Sequence, residues 1–191
     1  MNNYKIILAS NSPRRRQLLA GLDVDFEVKV IPGIEENVPE GTPVELIAET
    51  LARQKAEPYK PNIEDGELVL TADTIVVVDG EVLGKPVDEE EAKAMLHKIS
   101  GKTHKVITGV CFTTRAHQHS FSVSTDVTFK TLPENEIEYY VSHYHPTDKA
   151  GAYGIQEWIG YVGVKRLEGS YFNVMGLPVQ RIWEEIKKMS D

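Results

Sequence analysis

The chain has 191 residues, of which 41% are hydrophobic and 26% are charged. This balance is typical of a globular protein and excludes a wholly disordered chain or a collagen-like fibre. The 21 basic and 29 acidic residues give a formal net charge of −8, which disfavours binding to a long polyanion such as nucleic acid. A small anion such as a nucleotide stays allowed, because it needs only a few local cations and backbone N–H groups.

The longest apolar stretch, around residues 68–78, is too short to span a bilayer and is interrupted by Asp73. The N-terminal residues do not have the pattern of a signal peptide. These features predict a cytoplasmic protein that does not bind membranes. The chain shows no repeat, linker or low-complexity segment, so we expect a single domain over residues 1–191.

Strands and helices alternate in the first part of the chain. Ser12-Pro13 is typical of a helix start, and Thr42-Pro43-Val44-Glu45 has the pattern of a capping box with proline at the first helical position. The apolar stripe of the second helix places Lys55 near the edge of the core. The predicted elements are a strand over 5–9, a helix over 13–22, a strand over 26–31 and a helix beginning at 43.

In the second part, Asp79-Gly80 between two apolar runs is a strong β-hairpin signal. A helix is predicted to begin at Asp88 and to end before Gly101. The remaining predicted elements are two long strands over 105–115 and 119–131, a helix over 134–142, a strand over 161–167 and a helix from about 178. Together these elements predict a mixed α/β fold.

Asp73 is the most informative residue, because it places one carboxylate in the middle of a strand that is otherwise apolar. An unpaired buried charge costs several kcal/mol, so a cation, a metal ion or water must meet it. A buried salt bridge and a functional site both satisfy this requirement. Thr74 points to the opposite face of a regular strand, so the two side chains can share one pocket only at a bulge or a strand end.

The segment Ser10–Arg16 follows the first strand and opens the first helix. Hydroxyl groups, guanidinium groups and unpaired backbone N–H groups together are typical of a phosphate-binding site. The alternative is an ordinary capped helix followed by solvated arginines, and at least one of the three arginines is expected to be solvated.

Three further features could bind a ligand, and each has a simple structural alternative. Glu35-Glu36 could attract a divalent cation or form a solvated acidic turn. Lys85, in Gly84-Lys85-Pro86, could present a fixed cation to an anionic ligand. The segment Asp148–Gln156 has the small residues of a loop that approaches a ligand, or of a tight turn, and the amide of Gln156 could read a nucleobase edge.

Other motifs do not support a function. Ser100-Gly101-Lys102-Thr103 is similar to the end of a P-loop, but it follows its helix instead of preceding it. Two close histidine pairs, 117/119 and 143/145, lack the further ligands of a zinc site.

Five motifs occur in order over nearly the whole chain and resemble those of the Maf family of nucleoside triphosphate pyrophosphatases. The ending Gly-Ile-Gln at Gln156 is similar to the subgroup that acts on dTTP and UTP. The motifs are Leu8-Ala9-Ser10-Asn11-Ser12-Pro13-Arg14-Arg15, Ala72-Asp73-Thr74, Gly84-Lys85-Pro86, Ser100-Gly101-Lys102 and Asp148–Gln156.

The resemblance implies an inosine-triphosphatase-like (Maf/Ham1) α/β fold with a mixed sheet, flanking helices and two lobes around a cleft, and it also implies a homodimer. It further implies hydrolysis of dTTP and UTP to the monophosphate and pyrophosphate, which would remove non-canonical nucleotides, with Mg²⁺ or Mn²⁺ as cofactor. The resemblance assigns roles to Asp73, Lys55, Lys85, Arg14, Thr74, Gln156 and Glu35, and the pattern at the start of the first helix adds Ser10, Ser12 and Arg15. Together they predict three groups: catalytic Asp73, Lys55 and Lys85; substrate-binding Ser10, Ser12, Arg14, Arg15, Thr74 and Gln156; and metal-binding Glu35 and Asp73, with Glu36 as an equally good carboxylate by sequence.

Two alternative functions share these groups. A nucleotide-binding regulator of cell division or septum formation would need the same phosphate site, but it has no need of a carboxylate inside an apolar strand. A phosphomonoesterase would use the same cations and metal, and it would release orthophosphate instead of pyrophosphate.

Overall fold

A computed structural model describes residues 4–190. The strands are β1 Lys5–Leu8, β2 Phe26–Val28, β3 Glu67–Val78, β4 Glu81–Leu83, β5 Thr103–Thr113, β6 Gln118–Phe129 and β7 Val164–Glu168. The helices are α1 Pro13–Ala20, α2 Val44–Ala56, α3 Glu89–Ile99, α4 Glu134–Tyr144, α5 Trp158–Gly163, α6 Tyr171–Met175 and α7 Val179–Ser190. Short 3₁₀ segments cover Glu57–Asn62, Pro146–Asp148 and Ala150–Ala152.

The strands form one seven-stranded mixed sheet in the order β2-β1-β3-β5-β6-β7, with β4 paired to β3. β1 lies parallel to both β2 and β3. β4 and β7 lie antiparallel to β3 and β6, respectively. The predicted mixed α/β fold class is therefore confirmed.

The chain divides into two compact units, and β3, β5 and β6 contribute residues to both. Unit 1 comprises residues 1–73, 108–123 and 176–191, and unit 2 comprises residues 74–107 and 124–175. The single domain expected over residues 1–191 stays a prediction. Within residues 4–190, no helix combines the length and the apolar character that crossing a bilayer requires.

In unit 1, helix α2 packs very closely on strand β5. A Cβ atom added at Gly109 would lie 2.3 Å from the backbone atoms of Ala48 and Glu49. Only glycine leaves room for this approach, because it lacks a side chain. The position of α2 on the sheet therefore depends on Gly109.

Unit 2 has a large apolar core, in which residues of α3, α4 and the adjoining strands are almost completely buried. Its largest fully buried side chains include Tyr140 and Phe129. One nitrogen of the buried His104 ring is paired: its Nε2 is hydrogen-bonded to the hydroxyl of Tyr153, with 2.6 Å between Nε2 and Oη.

Most local predictions are confirmed. Ser12 caps α1, with its Oγ accepting a hydrogen bond from the backbone N–H of Arg15 at 3.4 Å. The hairpin forms at Asp79-Gly80, and Asp88 caps α3. The first helix and the second strand are shorter than predicted, because α1 ends at Ala20 and β2 ends at Val28.

Two local predictions are wrong. Thr42 does not form a capping box, because its hydroxyl donates to the carbonyl of Pro39 at 2.7 Å; Pro43 is the N-cap and α2 begins at Val44. The predicted strand over 161–167 begins only at Val164, because residues 158–163 form α5. In α5, the missing side chain of Gly160 allows the helix to lie against the carbonyl of Ile155, where a Cβ atom would be 1.7 Å away.

Candidate active site

The Asp73 carboxylate of β3 is paired with the ammonium group of Lys55. The side chains of Asp73 and Lys55 are 15% and 20% exposed, and Lys55 Nζ donates to Asp73 Oδ1. Residues 67–72 and 75–78 of the strand are buried, whereas Asp73 and Thr74 are only half-buried. Of the predicted partners (a cation, a metal ion or water), a cation meets the carboxylate of Asp73 in the structure, and the half-buried carboxylate keeps some access to solvent.

Lys55 also pairs with a second carboxylate, that of Glu36, with 3.2 Å between Nζ and Oε1. The apolar stripe of α2 places Lys55 at the core edge, as predicted, because Ala48, Leu51 and Ala52 on this helix are buried. The neighbouring backbone is fixed to α2 as well: the N–H of Asn37 donates to Gln54 Oε1 at 3.0 Å. Glu36, and not Glu35, is thus the carboxylate that these contacts bring to Lys55, although both glutamates are exposed.

Arg15 connects the start of α1 to the strand that carries Asp73. Its Nη1 donates to the carbonyl of Ala72 at 2.9 Å, and its Nε donates to the carbonyl of Gly176 at 2.8 Å. Burial lowers the pKa of the Arg15 guanidinium, while the charge of Asp73 opposes this change. The guanidinium therefore adds positive potential beside Asp73, and its two carbonyl contacts hold it in place.

The two predicted serine ligands shape the loop between β1 and α1. The backbone N–H of Ser12 donates to Ser10 Oγ at 3.2 Å, and Ser10 is buried. Arg14 is half-buried and Arg16 is exposed, which confirms that at least one of the three arginines is solvated. The backbone N–H groups at the start of α1 and the nearby arginine side chains could together bind a small anion.

In unit 2, Lys85 is exposed and lies two residues after the end of the hairpin strand β4. The carbonyl of its neighbour Gly84 accepts a hydrogen bond from the N–H of Gly151 at 3.0 Å. Gly151 has a φ of +69°, and a Cβ atom there would lie 2.9 Å from the Val76 side chain of β3. The structure thus joins the Lys85 segment, β3 and the loop 148–156, which are far apart in sequence.

Gln156 lies in a turn closed by a hydrogen bond from the N–H of Glu157 to the carbonyl of Gly154 at 3.0 Å. Its side-chain Oε1 is buried and accepts no hydrogen bond from the described residues. An unsatisfied buried carbonyl costs about 1–3 kcal/mol, so this amide is held in a conformation that its own hydrogen bonds do not explain. This geometry is compatible with a base-reading role for Gln156.

Three residues around the Gln156 turn, Lys149, Glu157 and Tyr140, received no individual role from the sequence. Lys149 Nζ lies 2.8 Å from Asp148 Oδ1 and 3.0 Å from Glu157 Oε1. The hydroxyl of Tyr140 donates to Glu157 Oε2 and accepts from the N–H of Gly154. The sequence feature that could have indicated this cluster is Lys149, a single lysine within a run of small residues.

Ser100 and Lys102, which belong to one of the five motifs, have structural contacts in unit 2. Ser100 Oγ accepts from the N–H of Leu132 at 2.8 Å. Lys102 Nζ lies 2.5 Å from Asp79 Oδ2 in the hairpin turn. These contacts agree with the rejection of a P-loop at this segment.

The donor chemistry near Asp73 fits a divalent metal ion. Asp73 and Glu36 both contact the single ammonium group of Lys55, so their oxygens converge on one positive centre. Magnesium sites often use one or two carboxylates, with water and substrate phosphates as the other ligands. Over residues 4–190, no three His, Cys, Asp or Glu side chains form a group that could hold a metal ion.

The predicted site residues are distributed over the two units. Unit 2 contains Thr74, Lys85 and Gln156, and unit 1 contains the remainder: Ser10, Ser12, Arg14, Arg15, Glu35, Lys55 and Asp73. Within unit 1 the structure brings together Asp73, Lys55, Glu36 and Arg15.

Several known proteins are similar to this chain in sequence or in structure. The chain is 57% identical to the dTTP/UTP pyrophosphatase of Phocaeicola vulgatus over 189 residues, covering 99% of this chain and 98% of that protein. It is 54% identical to the dTTP/UTP pyrophosphatase of Bacteroides fragilis over the same shares of the two chains. Among solved structures, the Ham1 protein of Staphylococcus aureus is similar with a TM-score of 0.48 and 14% identity, over 65% of this chain and 71% of that one.

The family model described as "Maf-like protein" matches residues 5–189. This range includes all of the predicted site residues. The chain therefore belongs to the Maf-like protein family.

Proposed function

We propose that this protein hydrolyses dTTP and UTP to the nucleoside monophosphate and pyrophosphate. The observation that carries the proposal is the partly exposed Asp73 carboxylate, which is held between the charges of Lys55 and Arg15 in an otherwise buried strand. The names of the two relatives support the same reaction and the same pyrimidine substrates.

In the proposed reaction, a water oxygen forms a bond to the α-phosphorus and the bond from that phosphorus to the bridging oxygen breaks. Asp73 accepts the proton of the attacking water, which is the role of a general base. Lys55 fixes the orientation of the Asp73 carboxylate through its ion pair. Pyrophosphate leaves with the bridging oxygen, and a positive charge from Lys85 stabilises it.

The substrate phosphates would bind at the start of α1. There Ser10 and Ser12 shape the loop, and Arg14 and Arg15 supply positive charge. A divalent metal ion, when bound, would be held by Asp73 and by Glu35 or Glu36, and it would neutralise phosphate charge and acidify water. Since Lys55 contacts Glu36, the contacts favour Glu36 as the second carboxylate.

Base selection is assigned to Gln156, together with Arg14 and Thr74. Uracil and thymine present a donor and two acceptors, and a glutamine amide can both accept and donate. The buried Oε1 of Gln156 has no hydrogen-bond partner among the described residues, so this oxygen is not committed to a protein donor.

The test is the identity of the product. Purified protein is incubated with UTP, dTTP, CTP, GTP and ATP in the presence of Mg²⁺ or Mn²⁺, and the released phosphate species are separated. Pyrophosphate with UMP or dTMP supports the proposal. Orthophosphate identifies a phosphatase, and tight binding of nucleotide without any product identifies a nucleotide-binding regulator.

The variant D73N tests whether the reaction takes place at Asp73. We expect at least about a hundredfold loss of turnover, because a positioned acid–base group contributes 10²-fold or more. The matched control is D126N, which changes an aspartate of strand β6 whose side chain is 39% exposed and pairs with Lys105. Near-normal turnover by folded D73N protein would refute the assignment of Asp73.

A further inference from the structure

Three side chains of unit 2 close around the turn that carries Gln156. Lys149 Nζ lies 3.0 Å from Glu157 Oε1, and the Tyr140 hydroxyl donates to Glu157 Oε2. The same hydroxyl accepts the N–H of Gly154 at 3.0 Å. We call this group the Lys149–Glu157–Tyr140 clamp. Both ends of the turn, Gly154 and Glu157, are attached to Tyr140.

The clamp is charged and largely removed from solvent. The side chains of Lys149 and Glu157 are 9% and 21% exposed, and Tyr140 is fully buried. A buried ion pair contributes little net stability compared with apolar packing of the same volume, because both charges lose their hydration. What it does provide is one defined geometry, since the charges and the hydroxyl are satisfied only when the turn has this conformation.

The protonation state of Tyr140 supports the view that the clamp has one defined geometry. Burial raises the pKa of the Tyr140 hydroxyl far above its usual range, and its hydrogen bond to Glu157 acts in the same direction. The hydroxyl is therefore a donor at every pH at which the protein would work.

Gly154 shows how tightly the clamp fits the turn. A Cβ atom at this position would lie 3.0 Å from Lys149 Cε and 3.1 Å from Glu157 Cδ. The ion pair thus passes directly over the backbone of Gly154. Any residue larger than glycine must displace the ends of the two charged side chains.

Gln156 lies between these fixed points. It is the third residue of the turn that starts at Gly154 and ends at Glu157. Its backbone position, and with it the direction of its unpaired Oε1, is set by groups that the clamp holds at both ends of the turn. Hydrogen-bond recognition of a base requires such positioning, because a misplaced amide leaves polar groups of the base unpaired.

We propose that Tyr140, Lys149 and Glu157 are positioning residues for base selection: the clamp holds Gln156 in the orientation that distinguishes a pyrimidine from a purine nucleotide. This inference rests on the proposed function and extends it to residues that do not contact the substrate. Loosening the clamp should weaken recognition of uracil and thymine and leave the chemistry at Asp73 nearly unchanged.

The test uses two variants that leave Gln156 itself intact. Y140F removes one hydroxyl group and no ring atom, and G154A pushes apart the ends of Lys149 and Glu157. The matched control is Y139F, since Tyr139 is an exposed tyrosine on the same helix outside the clamp. Circular dichroism at the assay temperature shows that each variant is folded.

For Y140F and G154A we expect the kcat/KM ratio of UTP to ATP to fall about tenfold through a higher KM for UTP, with kcat changed less than about threefold. Y139F should keep the wild-type ratio. An unchanged ratio in folded Y140F and G154A protein would overturn the inference. Equal losses for all nucleotides would overturn it too, because they indicate a general structural role.

A binding measurement separates this inference from the proposed function. Calorimetry gives the Kd of UMP relative to AMP for the wild type and for both variants, without any turnover. If the wild type releases no pyrophosphate, the proposed function fails, and the Kd ratio still decides the role of the clamp. A wild-type Kd ratio near one, or one that Y140F and G154A leave unchanged, contradicts the clamp.

Discussion

His104 should make the stability of this protein depend on pH in a predictable way. The residue is 2% exposed, and its ring is tilted against Phe129 and meets Tyr153 edge-on. Burial lowers the pKa of His104 from the ordinary 6.5 to about 4, and the charge of Asp126 acts in the opposite direction. The folded protein therefore keeps the ring neutral, whereas the unfolded chain binds a proton below pH 6.5.

The sign and size of the effect follow from linkage. The unfolded state gains a proton first as the pH falls, so stability is lost between pH 6.5 and pH 4. The interval between the two pKa values is about 2.5 pH units, and each unit corresponds to about 1.4 kcal/mol. Below pH 4 the free energy of unfolding is then lower by about 3 kcal/mol than at neutral pH, and at pH 5 it is lower by about 2 kcal/mol.

The assay is urea unfolding at pH 7.5 and at pH 5 for the wild type and for H104Q, whose amide does not titrate. Between pH 7.5 and pH 5, the free energy of unfolding should fall by about 2 kcal/mol more for the wild type than for H104Q. Other titrating groups contribute equally to both proteins and cancel in the difference. The same loss in both proteins would refute the reasoning, and so would an NMR titration in which the His104 ring of the folded protein takes up its proton near pH 6.5.

Further changes test other parts of the molecule. G109A should lower the free energy of unfolding by about 3 kcal/mol or more in urea unfolding, because α2 must move by about 1 Å to accept a Cβ atom that would otherwise lie 2.3 Å from its backbone. G84A, whose Cβ atom meets nothing within 4 Å, is the control, and equal effects of the two would contradict this packing. Excess chelator should abolish pyrophosphate release and K85A should weaken it, so full activity in chelator excludes a metal requirement. Q156L should lower kcat/KM for UTP and dTTP relative to purine triphosphates by about tenfold; an unchanged ranking over a panel of five nucleotides removes Gln156 from base reading.

The sequence was sufficient for features that depend on neighbouring residues. Ser12 and Asp88 act as helix caps because a cap needs only a short polar side chain and an N–H three residues later. Asp79-Gly80 forms a hairpin because both residues adopt the positive φ that the turn requires. The position of Lys55 at the core edge followed from the helical period alone.

Local patterns failed where packing at longer range decided the structure. The β-branched residues after Trp158 favour a strand, yet residues 158–163 form α5, because glycines at 160 and 163 let this helix lie against Ile155 and against the Phe129 ring. Thr42 fits a capping box by spacing, but its hydroxyl bonds to Pro39. Propensity and spacing are weak compared with such contacts.

In the candidate site, too, some features followed from local sequence and others depended on tertiary packing. Asp73 was identifiable from the sequence because a single charge in an apolar strand must have a partner, but which of many cations pairs with it could not be derived without a fold. The pairing of Arg15 with carbonyls at Ala72 and Gly176, 57 and 161 residues away, is set by the tertiary fold. The clamp around Gln156 depends in the same way on α4, which brings Tyr140 to the turn. One-dimensional patterns record which groups need partners, and only tertiary packing determines which partners lie within hydrogen-bond distance.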